Sequence, residues 1–255
     1  MIMFEEYLTK KSRIIKVDLK KNLTEQVDDE IAVEERIKLY VNGRLYTVFS
    51  CSPKKVKELI VGRLLTDGKI RGPDEIAELK TSSGKAYVKI VKEKMPRPPD
   101  ASVSRKDEML KAKRSAFRLN PKIILRSIEA LNHKALIYKR TGGTHAAALF
   151  DEKGKMLVFS EDIGRHNAVD KVLGEASLIG IQYANVLLAS TGRLTSEIVS
   201  KAAQVGVQVI VSVSAPTDKG VKIAEEKGLT LIGFVRGSRL NIYTNLERVE
   251  GISQS

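Results

Sequence analysis

Three short apolar runs constrain this chain more than anything else in it. NVLLAST (185–191), VQVIVSVSA (207–215) and LTLIGFV (229–235) carry apolar side chains at consecutive rather than alternate positions. A strand of that kind needs cover on both faces. The intervening segments have helical punctuation: one runs from about Thr195 to Gly206, the other begins at Pro216-Thr217 and ends at Gly228. Strands alternating with amphipathic helices predict an α/β core with a largely parallel sheet. Ahead of them, the strand KALIYKR (134–140) is expected to lead into TGGTHAAALF (141–150). The turn DEKGK, the strand MLVFSED (156–162) and a helix over Arg165–Ile179 follow.

The N-terminal part has a different texture. ERIKLYVNGRLYTVFS (35–50) alternates apolar and polar residues about Asn42-Gly43, a two-residue hairpin signal. In SPKKVKELIVGRLLTDG (52–68), Ser52 is the expected N-cap, Pro53 the first helical residue and Gly68 the terminator. KAYVKIV (85–91) returns as a strand. Residues 1–95 therefore read as a small α+β unit, opened by a charged arm or edge strand up to about Asp29. Residues 96–120 read as a linker, within which PRPP marks irregular chain. Residues 121–255 read as the core, entered by a helix at Asn120-Pro121 with Ile124, Leu125, Ile128 and Leu131 on its apolar face.

The net charge of +13 is uneven: residues 94–126 hold ten basic and three acidic side chains. That favours an anionic partner, whether nucleic acid, a phosphorylated cofactor or an acidic protein, although a solvated lysine-rich surface has the same composition. No apolar run approaches the ~20 residues that cross a bilayer. The opening MIMFEEYLTKKSR carries acids where a signal peptide carries bases, so a cytoplasmic protein without membrane contact is expected. The single cysteine, Cys51, excludes an internal disulfide and a paired-cysteine zinc site. Lys54 and Lys55 beside it, at a helix start, would favour a thiolate; a small buried residue at a strand end is the plainer alternative.

Ligands of such sheets bind beyond the carboxyl ends of the strands. Polar clusters fall at or near those ends: TGGTH (141–145), SEDIGRH (160–166), STGR (190–193), SAPT (214–217) and FVRGSR (234–239). Glycine admits close backbone approach and arginine offers two donors to a phosphate, so a phosphate-bearing ligand is expected. Its candidate contacts are Gly143, His145, Asp162, Arg165, His166 and Arg193, with Asp162 also able to orient His166. The histidines lack metal-ligand spacing and cysteine company, so no metal is expected. H-x-E and P-C-x-x-C are both missing, which excludes zinc deaminase chemistry.

Together, TGGTHAAAL, EDIGRHNAVDKVLGEA, GRLTSEIVSKAAQVGV and SAPTDKGVKIAEEKGLTLIGFVRGSRLNIYT, with the upstream ELIVGRLLTDGKI, resemble the formate dehydrogenase accessory family, FdhD, collinearly from about Ala32 to Thr244. The resemblance implies a cytidine-deaminase-like layered α/β core with a smaller N-terminal α+β unit. It implies a maturation role toward a molybdenum or tungsten formate dehydrogenase, in which sulfur from a cysteine desulfurase passes as a persulfide to the metal of bis(molybdopterin guanine dinucleotide). The guanine end of that cofactor, mimicked by GDP, would contact Phe234, Val235, Arg236, Gly237, Ser238 and Arg239, with Arg236 and Arg239 paired to phosphates. Asp162 would then be an acceptor for the guanine, and Gly164 and Arg165 would face phosphate.

The chain departs from the family in one respect. Members carry C-x-x-C ahead of the helix preceding TGGTHAA, and RSAFRLNPKI (114–123) has no cysteine. Binding and delivery of cofactor without a thiol relay is the first expectation. The alternatives are a Cys51-dependent sulfurtransferase and a basic nucleic-acid binder. An aromatic content of 5% argues against stacked single strands. Formate dehydrogenase and a desulfurase are the expected partners, the basic 94–126 segment is a candidate dock, and homodimerisation is left open.

Overall fold

The structure, a computed structural model, describes residues 8–91 and 117–252. Asn120 caps the first core helix, α2 (Pro121–Lys134), by accepting from the Lys122 amide at 3.0 Å, with Pro121 in the first turn where no amide is needed. This helix lies on a six-stranded sheet built from β7 (His145–Phe150), β8 (Met156–Asp162), β9 (Leu187–Ser190), β10 (Val209–Ser212), β11 (Thr230–Arg236) and β12 (Arg239–Thr244), in the order β12-β11-β10-β9-β7-β8. Only β9, β10 and β11 run parallel; β7 opposes both its neighbours and β12 opposes β11. The sheet is thus mixed rather than largely parallel. The turns around Gly154 (φ 80°) and Gly237 (φ 55°) are too short for a crossover and reverse the chain on itself.

Successive strand residues supply opposite cores, as their unbroken apolar character requires. Ala148, Phe150, Leu187, Ala189, Val211 and Ile232 meet Ile124, Ile128 and Leu131 of α2. Leu149, Leu188, Ile210 and Leu231 meet Val169 and Leu173 of α4 (Arg165–Leu178), Ile198 and Ala202 of α5 (Ser196–Val205), and Ala224 of α6 (Asp218–Lys227). Each such side chain contributes roughly 1.5–3 kcal/mol of burial. KALIYKR is not a strand: α2 continues to Lys134 and a six-residue helix, α3 (Leu136–Thr141), takes the rest. Glu161 decides this by accepting from the Ile137 and Tyr138 amides at 3.1 and 2.8 Å, and left-handed Gly142 ends the helix.

In the N-terminal unit, β3 (Glu35–Val41), β4 (Arg44–Cys51), β5 (Ile76–Ser82) and β6 (Lys85–Ile90) form a sheet in the order β4-β3-β6-β5. Asn42 and Gly43 both take positive φ, as their hairpin demands. Leu59, Ile60 and Leu64 of α1 (Val56–Thr66) cover the sheet's inner face. Ser52 does not cap α1: the helix starts three residues later behind left-handed Lys55, and Ser52 is buried against the core instead. The expected arm is a hairpin ribbon, β1 (Thr9–Asp18) with β2 (Leu23–Ala32), in which no residue from Lys10 to Ile31 is buried. Most of the basic 94–126 segment, and of the linker expected over 96–120, lies outside the described residues.

Side chains and a close helix crossing lock the N-terminal unit to the core. α1 crosses α4 at two glycines, where a Cβ on Gly62 would lie 1.8 Å from the Asp170 carbonyl oxygen and one on Gly174 1.9 Å from that of Glu58. Thr66 donates to Asp170, whose carboxylate also receives Lys201 Nζ at 2.8 Å on each oxygen. Lys55 donates to the Phe159 carbonyl at 2.7 Å and pairs with Glu175.

Candidate functional site

Because β7 opposes β9, its first residues share an edge with the carboxyl ends of β9, β10 and β11. A cavity of about 560 Å³ opens there, within the usual range for small-molecule sites. Its strand-end wall contains Thr144, His145, Thr191, Ser214, Val235 and Arg236. The helical wall contains Leu125, Ile128, Glu129 and Asn132 from α2, with Tyr138 from α3.

Hydroxyl groups hold the strand-end loops in place. Thr191 Oγ1 accepts from the Ala146 amide at 2.9 Å, Ser212 Oγ donates to the Gly192 carbonyl at 2.7 Å, and Ser214 Oγ donates to the Thr191 carbonyl at 3.0 Å. Next to them β11 bulges, with Phe234 left-handed at φ 51° and its amide donating to the Ser214 carbonyl. A non-glycine residue at such φ carries strain, of a kind that gathers at ligand sites. The bulge turns Phe234 outward, 40% exposed, and keeps Val235 in the wall. Arg236 Nε donates to the Val213 carbonyl at 3.2 Å, and its Nη groups have no partner among the described residues. Its guanidinium lies 6.0 Å from the Phe234 ring centre.

Of the twelve candidate contacts, the cavity gathers four: His145, Val235, Arg236 and Gly237. Phe234, Ser238, Arg239 and Arg193 are exposed outside its lining, and Gly143 packs near Ala32 of the ribbon. Thr191 and Ser214 sit in clusters the sequence marked. Glu129, Asn132 and Tyr138 were missed; the only available signal was that Glu129 and Asn132 continue the Leu125–Ile128 side of α2 at helical spacing.

The EDIGRHNAVDK segment performs a different task from the one expected of it. Asp162 is fully buried and ion-paired to Lys171, also fully buried, at 2.5 Å. The same carboxylate accepts from the amides of Ser52 (3.0 Å) and Gly164 (2.8 Å) and from Asn167 Nδ2 (2.9 Å), while Lys171 donates to the Ser52 carbonyl at 2.8 Å. Asp162 is therefore a clasp on the end of β4, with no acceptor left for a guanine. It does not orient His166 either, since that ring's Nε2 lies 2.9 Å from Glu197, off the hydrogen-bond direction. The Arg165 stem packs on Gly192, where a Cβ would fall 2.8 Å from its own Cβ, and its Nε is buried without a hydrogen-bond partner among the described residues. Burial, then Arg165, holds both His145 and His166 below the ordinary histidine pKa, favouring neutral rings.

Cys51 closes β4 with 0% exposure, and burial pushes its thiol up to about 12 despite the opposing pull of Lys171. The plainer reading, a small buried residue at a strand end, holds over the thiolate that Lys54 and Lys55 would favour, and Lys55 is engaged by Glu175 and Phe159. Among the described residues no cluster of metal-ligating side chains occurs, and no helix is long and apolar enough to cross a membrane.

Comparison with known proteins gives a consistent answer. The model of the FdhD/NarQ family matches residues 32–250. The sulfur carrier protein FdhD of Bacillus pumilus is 35% identical over 238 residues, 87% of this chain and 90% of that protein. Its namesake from Sulfurisphaera tokodaii is also 35% identical, over 92% and 98% of the two chains. The crystal structure of a protein assigned as a formate dehydrogenase accessory protein, from Desulfotalea psychrophila, matches with a TM-score of 0.79 at 26% identity, covering 95% of this chain and 99% of that one.

Proposed function

Because the chain belongs to the FdhD/NarQ family, we propose that it is a maturation factor for a molybdenum or tungsten formate dehydrogenase, holding the guanine-nucleotide end of bis(molybdopterin guanine dinucleotide) in the cavity at the strand ends. The observation that carries this reading is the cavity's composition. Arg236, with its Nη groups unpartnered among the described residues, stands beside the turn at Gly237, an arrangement suited to a diphosphate. Leu125, Ile128 and Val235 offer apolar walls for a base. The cofactor would supply the metal centre; Arg236 and the loop amides would bind and orient its nucleotide end.

Sulfuration is supported here without a relay through the chain's own thiol, because the sole cysteine is Cys51 and it is buried. The reading thus departs from a literal sulfur carrier and keeps binding and delivery of the cofactor. GDP titrated into the purified protein should give a saturable calorimetric signal, and Arg236→Ala should weaken it at least about tenfold, the loss of a charge-assisted contact. A chain that takes up no GDP overturns the reading.

A further inference from the structure

The cavity contains a charge that a phosphate site does not require. Its lining has one guanidinium, Arg236, and one carboxylate, Glu129. Glu129 lies on α2 one turn before Asn132, and neither side chain makes a hydrogen bond or ion pair with any described residue. A carboxylate repels phosphate, so within a nucleotide site it belongs with the part of the ligand that carries donors. Both side chains are exposed, so each stays hydrated until a ligand displaces the water and needs no internal partner in the free chain.

Building on the nucleotide reading above, we propose that Glu129 and Asn132 are the base-reading residues of this cavity and select guanine. Guanine presents two adjacent donors, N1–H and the 2-amino group, beside the acceptor O6. Two carboxylate oxygens accept both donors, and a carboxamide NH₂ one turn along the helix donates to O6. Adenine presents an acceptor at N1, against which the carboxylate's lone pairs have no partner. Hypoxanthine keeps N1–H and O6 but lacks the 2-amino group. Selection by leaving a site's polar groups unpaired is stronger than selection by size alone. The pairing also gives the ligand one orientation, with its base on the α2 wall and its phosphates toward Arg236.

Calorimetric titration of the intact protein with GDP, IDP and ADP tests this. The wild type should prefer GDP over IDP and over ADP, each by about tenfold or more, the usual scale for a two-point base contact. Glu129→Gln puts an NH₂ where an acceptor is needed, and should bring GDP down to the level of IDP while leaving ADP no weaker than before. Arg236→Ala should weaken all three alike, which separates phosphate holding from base reading. A Glu129→Gln protein that keeps the full GDP-over-IDP preference overturns this inference and leaves the nucleotide site standing. Failure of the wild type to bind any of the three removes both. Since Glu129 is exposed and its side chain makes no hydrogen bond or ion pair with a described residue, the variant's circular dichroism should match the wild type, so a lost preference reports recognition.

Discussion

At the scale of single residues, Cys51 shows how poorly neighbours along the chain predict neighbours in space. Lys54 and Lys55 suggest a thiolate, but the charges acting on the thiol are chiefly Lys171, which pulls its pKa down, and Asp162, which pushes it up, and burial outweighs Lys171. A disulfide reagent should therefore titrate no thiol in the native protein and one after denaturation. Incubated with a cysteine desulfurase and labelled cysteine, the wild type should acquire no more sulfur than Cys51→Ser. Label confined to the wild type would restore Cys51 as a carrier. The legibility of the cavity follows the same logic. Arg236 and Gly237 could be found because arginine and glycine at the end of an apolar strand mark a sheet's carboxyl edge, whereas His145 reaches that edge as the first residue of β7, which runs opposite to β9. Asp162 carried a similar signature and proved to be a buried anchor, since its partners at Ser52 lie 110 residues away. Glu129 and Asn132 look in the sequence like any solvated helix face.

At the scale of elements, local signals sufficed where a segment supplies its own boundaries. Asn120 caps α2, Thr217 caps α6 by accepting from the Gly220 amide, and Gly206 ends α5, all within the segments that show them. They failed where a distant side chain decides: α3 is helical because Glu161 caps it, and nothing in KALIYKR announces that. The α1–α4 crossing is another long-range fact with a testable consequence. Alanine normally gains up to about 1 kcal/mol over glycine inside a helix. At Gly62 and Gly174 the sign should invert, because each new methyl group meets a backbone oxygen that cannot rotate away. Gly62→Ala and Gly174→Ala should each lose about 1–3 kcal/mol, seen as a lower urea midpoint at unchanged slope. A midpoint at or above the wild type would mean that the helices part freely.

At the scale of the whole molecule, the buried core pairs Asp162–Lys171 and Asp170–Lys201, through their hydrogen bonds to Ser52 and Thr66, fasten the N-terminal unit to the core more firmly than its separate sheet suggests. Asp162→Asn leaves a fully buried ammonium without its counter-charge and should cost about 3–5 kcal/mol. Hydrogen exchange in rising denaturant checks whether the two parts share that loss. Amides of β3 and of β10 should lose protection together in wild type and variant, whereas the ribbon from Lys10 to Ile31, with nothing buried, should exchange well before either. Release of β3 far ahead of β10 would show two independent units. The same ties have a consequence in time. Ser52 and Thr66 find their partners 104 to 135 residues further along the chain. At a synthesis rate of about 5–20 residues per second, α1 must wait on the order of ten seconds for the helices that receive it. For that interval its narrow glycine face is an open seam on a nascent chain, and the order in which the ribosome delivers the segments decides how long it stays open.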